Sequence, residues 1–358
     1  MYNYLIVLVL ILLKKDRCTE MVNTTFFGNA KTGEKVNIHE ITNGNIKAVI
    51  CDYGARVLNL EYKGVKCVCG FDTMEALLTD GDYHGSIAGR YANRIAEGKF
   101  TLNGVTYQLN KNERGETHLH GGNVGFSNKV WSLVDSGDNF VTLKLVSEDG
   151  DEGYPGTLTL LLTYKVENDT LYLDYDGTTD KDTIVNLTNH MYFAIGGVGE
   201  ELCTEQTLML NASHIAEVDA KLIPTGKLID VTGTPFDFNT AKKIGKDIAA
   251  DDTQIAFGGG YDHGFVLSSG NPAAVLHSDK TGFTVTVNTT EGGIQIYTGN
   301  YLREDLTPFF GNITQKKNAA VCLECNKLPD SPNRPEFPSC VLKVGEHYIQ
   351  KTSYKFEG

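Results

Sequence analysis

The chain has 358 residues, with 32 Lys and Arg against 45 Asp and Glu, a formal charge of −13. So acidic a chain lacks the basic face that neutralises phosphate, which excludes general nucleic-acid binding, and anionic membrane surfaces repel it. Apolar residues at 41% and charged residues at 22% are ordinary globular usage and exclude disorder throughout, while 38 Gly, 17 Tyr and 16 Phe point to turns joining aromatic-rich strands.

The first element is an apolar run over residues 5–13, followed by Lys14-Lys15-Asp16-Arg17. It is too short to cross a bilayer as a helix. No positive side chain precedes it and no small-x-small site follows closely, the reverse of a secretory pattern. Residues 1–20 are expected to be an extension outside the fold, with a cleaved signal sequence as the alternative. The compartment is accordingly expected to be cytoplasmic, or the secretory pathway if the run is a signal.

From Val22 onward the pattern is that of strands. Asn43-Gly44 marks a turn, and Lys63-Gly64 separates strands over 57–62 and 65–68. A short helix is expected over 74–78. Phe100-Thr101-Leu102 and Val105-Thr106-Tyr107 flank Asn103-Gly104, a strong hairpin signal. Gly137-Asp138 marks another turn, after which Val141, Leu143 and Leu145 alternate with polar residues. Leu171, Leu173 and Tyr175 repeat this period of two, and so do Phe283, Val285 and Val287. One helix is expected over 240–249, with Thr240 as its N-cap. Residues 341–356 read as strand, turn and strand. No linker divides the chain, so residues 22–358 are expected to form one large all-β domain, an antiparallel β-sandwich with few short helices.

The eight cysteines do not have the spacing of a small disulfide scaffold, and reduced thiols are expected. Cys322-Leu323-Glu324-Cys325 is a single CxxC without a second CxxC or a paired-His motif, so no metal site is expected there. There is no GxGxxG entering a helix, no P-loop, no HExxH and no GxSxG.

Six polar segments remain. Gly89-Arg90-Tyr91-Ala92-Asn93-Arg94-Ile95 offers guanidinium and carboxamide groups, which bind arrays of hydroxyls, or alternatively one salt-bridging and one surface arginine. His118-Leu119-His120-Gly121-Gly122 would place two imidazoles on one strand face, but no carboxylate at ligand spacing completes a metal site. A polar contact from His120, with the glycines admitting a ligand near the backbone, is the better reading. His190, in Asn186-Leu187-Thr188-Asn189-His190, is either structural or a general acid or base. Tyr261-Asp262-His263 and Gln295-Ile296-Tyr297-Thr298-Gly299-Asn300 follow. Glu324, between apolar residues and thiols, is either a base with a raised pKa or a strand-edge residue facing solvent.

Together with Asp151-Glu152-Gly153-Tyr154-Pro155-Gly156 and Leu328-Pro329-Asp330, these segments occur in an order that resembles the aldose 1-epimerase (galactose mutarotase) family over nearly the whole chain. The resemblance implies that family's large β-sandwich and the interconversion of α and β anomers of free hexoses such as glucose and galactose. It implies Glu324 as general base and His190 as general acid, with Asn93, Arg94, His120, Asp262 and Gln295 contacting the sugar. It implies no metal and no cofactor, an aldohexose as the sole partner, no nucleic acid, no membrane, and a monomer or weak homodimer. Cys325 and Asn326 depart from the residues common in relatives, and His118 adds an imidazole. Two rival readings stay open: a hexose-phosphate epimerase, which would need clustered cations, and a non-catalytic sugar-binding module, which would not need Glu324 and His190 together.

Overall fold

The alternating segments form antiparallel strands. The computed structural model describes residues 22–358, so the expected extension over residues 1–20 lies outside the described residues. A five-stranded meander comes first: Asn23–Asn29, Lys35–Asn43, Ile46–Cys51, Arg56–Tyr62 and Val65–Lys66. Its last turn has φ of 49° at Lys63 and 79° at Gly64, the left-handed pair that matches strand twist in a two-residue hairpin. Asn103-Gly104 repeats this with 51° and 78° between Lys99–Leu102 and Val105–Gln108.

Nine strands make the largest sheet, antiparallel throughout. Its spatial order is Ser132–Gly137, Phe140–Ser147, Leu158–Glu167, Thr170–Thr179, Tyr348–Glu357, Thr284–Thr289, Ala274–His277, Thr207–Leu210 and Lys242–Lys243. A six-stranded antiparallel sheet runs Tyr192–Phe193, Val321–Asn326, Gly293–Tyr297, Asp262–Leu267, Ala212–Val218 and Pro224–Asp230. The two sheets share one core. Leu143, Leu160, Leu173, Val285, Val287 and Phe356 of the larger sheet cluster with Phe265, Ile294, Ile296, Leu323 and Cys325 of the smaller. Tyr354 spans the gap and donates its hydroxyl to Leu323 O at 3.2 Å.

Side chains on a strand alternate between faces. Since Phe265, Ile294, Ile296 and Leu323 face the core, Asp262, Gly264, Gln295, Tyr297, Cys322 and Glu324 face the other way. One sheet therefore carries the core on one side and polar residues on the other.

The helix expected over 240–249 is absent. Lys242–Lys243 pairs with Thr207 and Leu208 at the edge of the nine-stranded sheet, and Ile244–Lys246 forms a single 3-10 turn. Edge pairing and the burial of Ile244 override a weak helical pattern that already contains Gly245. A short helix instead spans Thr253–Gly258, capped by Asp252. The one expected over 74–78 spans Met74–Leu77, and Thr73 caps it by accepting from Ala76 N–H at 3.2 Å. Among the described residues no helix is long and apolar enough to cross a membrane. Cys51, Cys67, Cys69, Cys203, Cys322, Cys325 and Cys340 are buried free thiols.

Candidate active site

Strand register builds the floor. Asp262 lies opposite Tyr297, Tyr297 opposite Cys322, Gly264 opposite Gln295 and Gln295 opposite Glu324. Directly opposed residues share a face, so Glu324 is not a solvent-facing edge residue but the centre of a buried polar row. It is 2% exposed. A Cβ on Gly264 would stand 3.3 Å from Gln295 Oε1, and its absence gives Gln295 room to donate to Asp262 Oδ1 at 2.7 Å. Cys322 and Cys325 are three residues apart on one strand and so face opposite ways, which rules out the CxxC as a chelating pair.

His190 follows the two-residue strand Thr188–Asn189, which pairs with Ile87–Ala88. Its N–H donates to Ser86 O at 2.8 Å and its carbonyl accepts from Gly85 N–H at 2.9 Å, which fixes the ring over the floor. His190 Nε2 lies 3.6 Å from Glu324 Oε1. Its Nδ1 lies 3.5 Å from Cys322 Sγ. Burial raises the Cys322 thiol well above its ordinary value, so the sulfur keeps its proton and meets Nδ1 as a neutral group, while Nε2 is the nitrogen that faces Glu324.

The third wall comes from the pairing of Arg94–Ile95 with His118–Leu119. Asn93 and His120 both take left-handed φ, 65° and 49°. Asn93 N–H donates to His120 Nδ1 at 3.1 Å, so that nitrogen holds a lone pair and the ring proton sits on Nε2. Arg94 donates from Nε and Nη2 to the two oxygens of Glu113 at 2.9 and 2.8 Å. The glycines after His120 do not serve a ligand. A Cβ on Gly121 would come 1.7 Å from Gly89 O, and one on Gly122 2.1 Å from Glu152 Oε2, so they allow chain to pack on chain. Glu152 in turn accepts from the N–H groups of Asn123 and Val124 at 2.9 and 2.8 Å and braces that loop. Arg90 is neither a sugar ligand nor a salt-bridging residue. It is buried and donates to the carbonyls of Ser147, Pro155 and Gly156. His118 points into the protein, donating to Asn110 O at 2.7 Å and meeting the Tyr154 hydroxyl at 2.6 Å.

A cavity of about 250 Å³ opens over this floor, lined by six of the seven predicted site residues: Asn93, Arg94, His120, His190, Asp262 and Glu324. Gln295 lies in the same polar row and reaches the site through Asp262. Sequence reasoning missed Glu113, Asp82 and Arg114, and the tyrosines Tyr83, Tyr192, Tyr297 and Tyr301, all of which line the cavity. Tyr297, two residues from Gln295 on one strand, could have been found from the period of two, and Tyr192 lies two residues after His190; the others are brought in by tertiary packing and no local spacing marks them.

Burial dominates the electrostatics. The Glu324 carboxyl is pushed well above the usual range by burial and by the neighbouring Asp262. Burial likewise raises Asp262, against the pull of Arg94 and the Gln295 hydrogen bond. Burial lowers His190 to about 3, and pushes His120 well down, with His190 adding to it. In the unliganded site burial therefore favours the neutral form of both groups. Glu324 Oε2 is buried without a hydrogen-bond partner, an acceptor left for something that enters the cavity. The donor atoms of His190, Cys322 and Glu324 lie within 4.8 Å of one another and form the one group among the described residues with the makings of a metal site.

The family model described as "Aldose 1-epimerase" matches residues 37–355. Galactose mutarotase of Bos taurus is 35% identical over 94% of this chain and 98% of its own length. Aldose 1-epimerase of Haemophilus influenzae is 36% identical over 93% of this chain and 99% of its own. Among solved structures, a galactose 1-epimerase from Lactobacillus acidophilus superposes with a TM-score of 0.83 at 27% identity, covering 94% of this chain and 99% of that one. An aldose epimerase homologue from C. elegans gives 0.82 at 28% identity, covering 90% and 99%. A match over nearly all of the sheet framework, at such identity and in both directions of coverage, makes this chain a member of the aldose 1-epimerase family, an isomerase.

Proposed function

We propose that residues 22–358 act as one domain that interconverts the anomers of free aldohexoses such as glucose and galactose, with Glu324 as general base and His190 as general acid. The observation that carries this reading is the buried pair itself: a carboxyl and an imidazole 3.6 Å apart at the base of a polar cavity. In the free site burial favours the pair with its one shared proton on Glu324. Its transfer to His190 gives carboxylate and imidazolium with no change in net charge, and that is the reactive form.

The chemistry then balances within the pair and the sugar. Glu324 takes the proton from the C1 hydroxyl, the C1–O5 bond breaks, and its electron pair goes to O5, which takes the proton from His190. The aldehyde turns about C1–C2. Closure on the other face returns the O5 proton to His190 and the Glu324 proton to O1. Neither group is consumed, and the residues present supply every proton the reaction moves. His120, Asn93, Arg94 and Asp262 offer donors and acceptors to the hydroxyls, and Gln295 holds Asp262 in place, which fixes the sugar in a reactive orientation.

The lining favours a neutral sugar over a phosphorylated one. Arg94 directs Nε and Nη2 to Glu113, and the four carboxyl side chains Asp82, Glu113, Asp262 and Glu324 outnumber Arg94 and Arg114 in the lining. Polarimetry of fresh α-glucose and α-galactose, run with a chelator present, tests the reading. Mutarotation far above the buffer rate is expected for both, and little acceleration for glucose 6-phosphate. A protein that binds these sugars without accelerating their mutarotation would be a binding module, and the proposal would fall.

A further inference from the structure

Residues 79–85 belong to no sheet, yet Gly81, Asp82 and Tyr83 form part of the cavity wall. Tyr83 takes φ of 60°, a left-handed conformation that is unfavourable for a bulky residue. Glycine would adopt it freely, and Gly81 stands two residues away, so a tyrosine held there is held for its side chain. Two hydrogen bonds secure its carbonyl, from Ser86 N–H at 3.0 Å and Ser86 Oγ at 2.9 Å.

A buried charged cluster pins the residues on either side. Asp80 Oδ2 accepts from Arg56 Nη1 at 2.5 Å, and Oδ1 accepts from His84 Nδ1 and Asp82 N–H, each at 2.9 Å. Arg56 Nη1 also donates to His84 O at 3.0 Å. The His84 ring stacks on Tyr192 at 4.1 Å. Asp82 and His84 being fixed, the half-buried Tyr83 ring stands 4.6 Å from the His120 ring and 6.1 Å from that of His190. Tyr192, Tyr297 and Tyr301 also line the cavity, and Tyr83 is the tyrosine whose ring lies against that of His120.

We infer that Tyr83 is a sugar-binding residue, its ring packing on the C–H face of the pyranose whose hydroxyls meet His120 and Asp262, and that Arg56, Asp80 and His84 are positioning residues that act only through it. This rests on the mutarotase reading. Pyranose rings have apolar C–H faces, and an aromatic ring is the side chain that buries one without competing for hydroxyls.

The test is calorimetric titration with 1,5-anhydroglucitol, which lacks the anomeric hydroxyl and so binds without turning over. Tyr83→Ala should raise Kd about tenfold or more, with KM for glucose rising in step, while Tyr83→Phe stays within about twofold. His84→Phe keeps the stack on Tyr192 and removes the bond to Asp80. It should raise Kd in the parent and leave it unchanged in Tyr83→Ala. A folded Tyr83→Ala protein with unaltered Kd would overturn the inference, and so would a His84→Phe effect that persists without the tyrosine. Failure of the mutarotase reading shows separately, as absent mutarotation by the parent protein.

Discussion

Glu324 is a carboxyl with an imidazole on one oxygen and nothing on the other, deep in a sheet face. Glu324→Gln keeps its shape and removes only its proton chemistry, so mutarotation should fall by about a hundred- to ten-thousand-fold with the circular dichroism spectrum unchanged. His190→Asn should lose activity on the same scale while sugar affinity changes less; wild-type rates in either variant would remove that residue from the chemistry. The pH dependence follows from one proton shared by the pair. Activity is lost when a second proton adds to His190, which burial delays until pH is far below 6.5, in the direction of 3. It is lost again at high pH, when the shared proton leaves a site where burial holds the Glu324 carboxyl proton well above the usual range. The acid limb of the bell in kcat/KM should thus lie well below pH 6.5 and the alkaline limb well above the usual carboxylate range, and an acid limb near pH 6.5 would contradict the pair. At this scale the sequence was a good guide to which residues line the cavity, since those residues sit in ordered motifs. It was silent on Glu113, 19 residues beyond Arg94 in an irregular segment and joined to it only in space.

At the scale of elements, the strand Val321–Asn326 and its neighbours do the positioning. Gly264 is the gap that lets Gln295 lie flat, and its Cβ would meet Leu328 Cδ2 and Pro329 Cδ at 3.1 Å. Gly264→Ala should fold with a slightly lowered Tm and a kcat/KM reduced about tenfold, because the neighbours must give and Gln295 is nudged from Asp262. Gly121→Ala should instead yield little folded protein, as its Cβ would sit 1.7 Å from a backbone oxygen at φ of 90°. Equal and mild effects in expression and melting assays would contradict this contrast. Hairpins such as Lys63-Gly64 and Asn103-Gly104 were legible because their turn chemistry is local. The segment around Lys242 was not, because its partner at Thr207 and Leu208 is distant in sequence and no local pattern announces an edge strand.

For the molecule as a whole, burial pushes down the pKa of His118, His120, His190 and His263. The unfolded chain takes up these protons first as pH falls, so their contribution to stability is full above about pH 6.5 and drains away on acidification. Burial lowers His263, packed against Phe236 at 4.8 Å, to about 4, and its share is on the order of 3 kcal/mol. Calorimetry should show Tm falling as pH goes from 7 toward 4, and falling less steeply in His263→Phe; parallel curves would exclude His263. Removal of residues 1–20 should leave a soluble protein of full activity, since Val22 already lies in the core and every segment of the site lies beyond it. Aggregation or inactivity of that form would show that the segment belongs to the fold.

The order of strands in the largest sheet also bears on how the protein is made. Tyr348–Glu357, the last strand of this sheet in sequence, is not an edge: it bonds Thr170–Thr179 on one side and Thr284–Thr289 on the other. While the chain is being synthesised, those two strands wait with open flanks, and the sheet divides into two halves that nothing yet joins. Unpaired strands of this kind invite pairing with other chains. The strand that seals the gap is the last of the sheet to be made, so the sheet cannot close until Tyr348–Glu357 has emerged, and loss of that strand removes the seam of the sheet rather than its fringe.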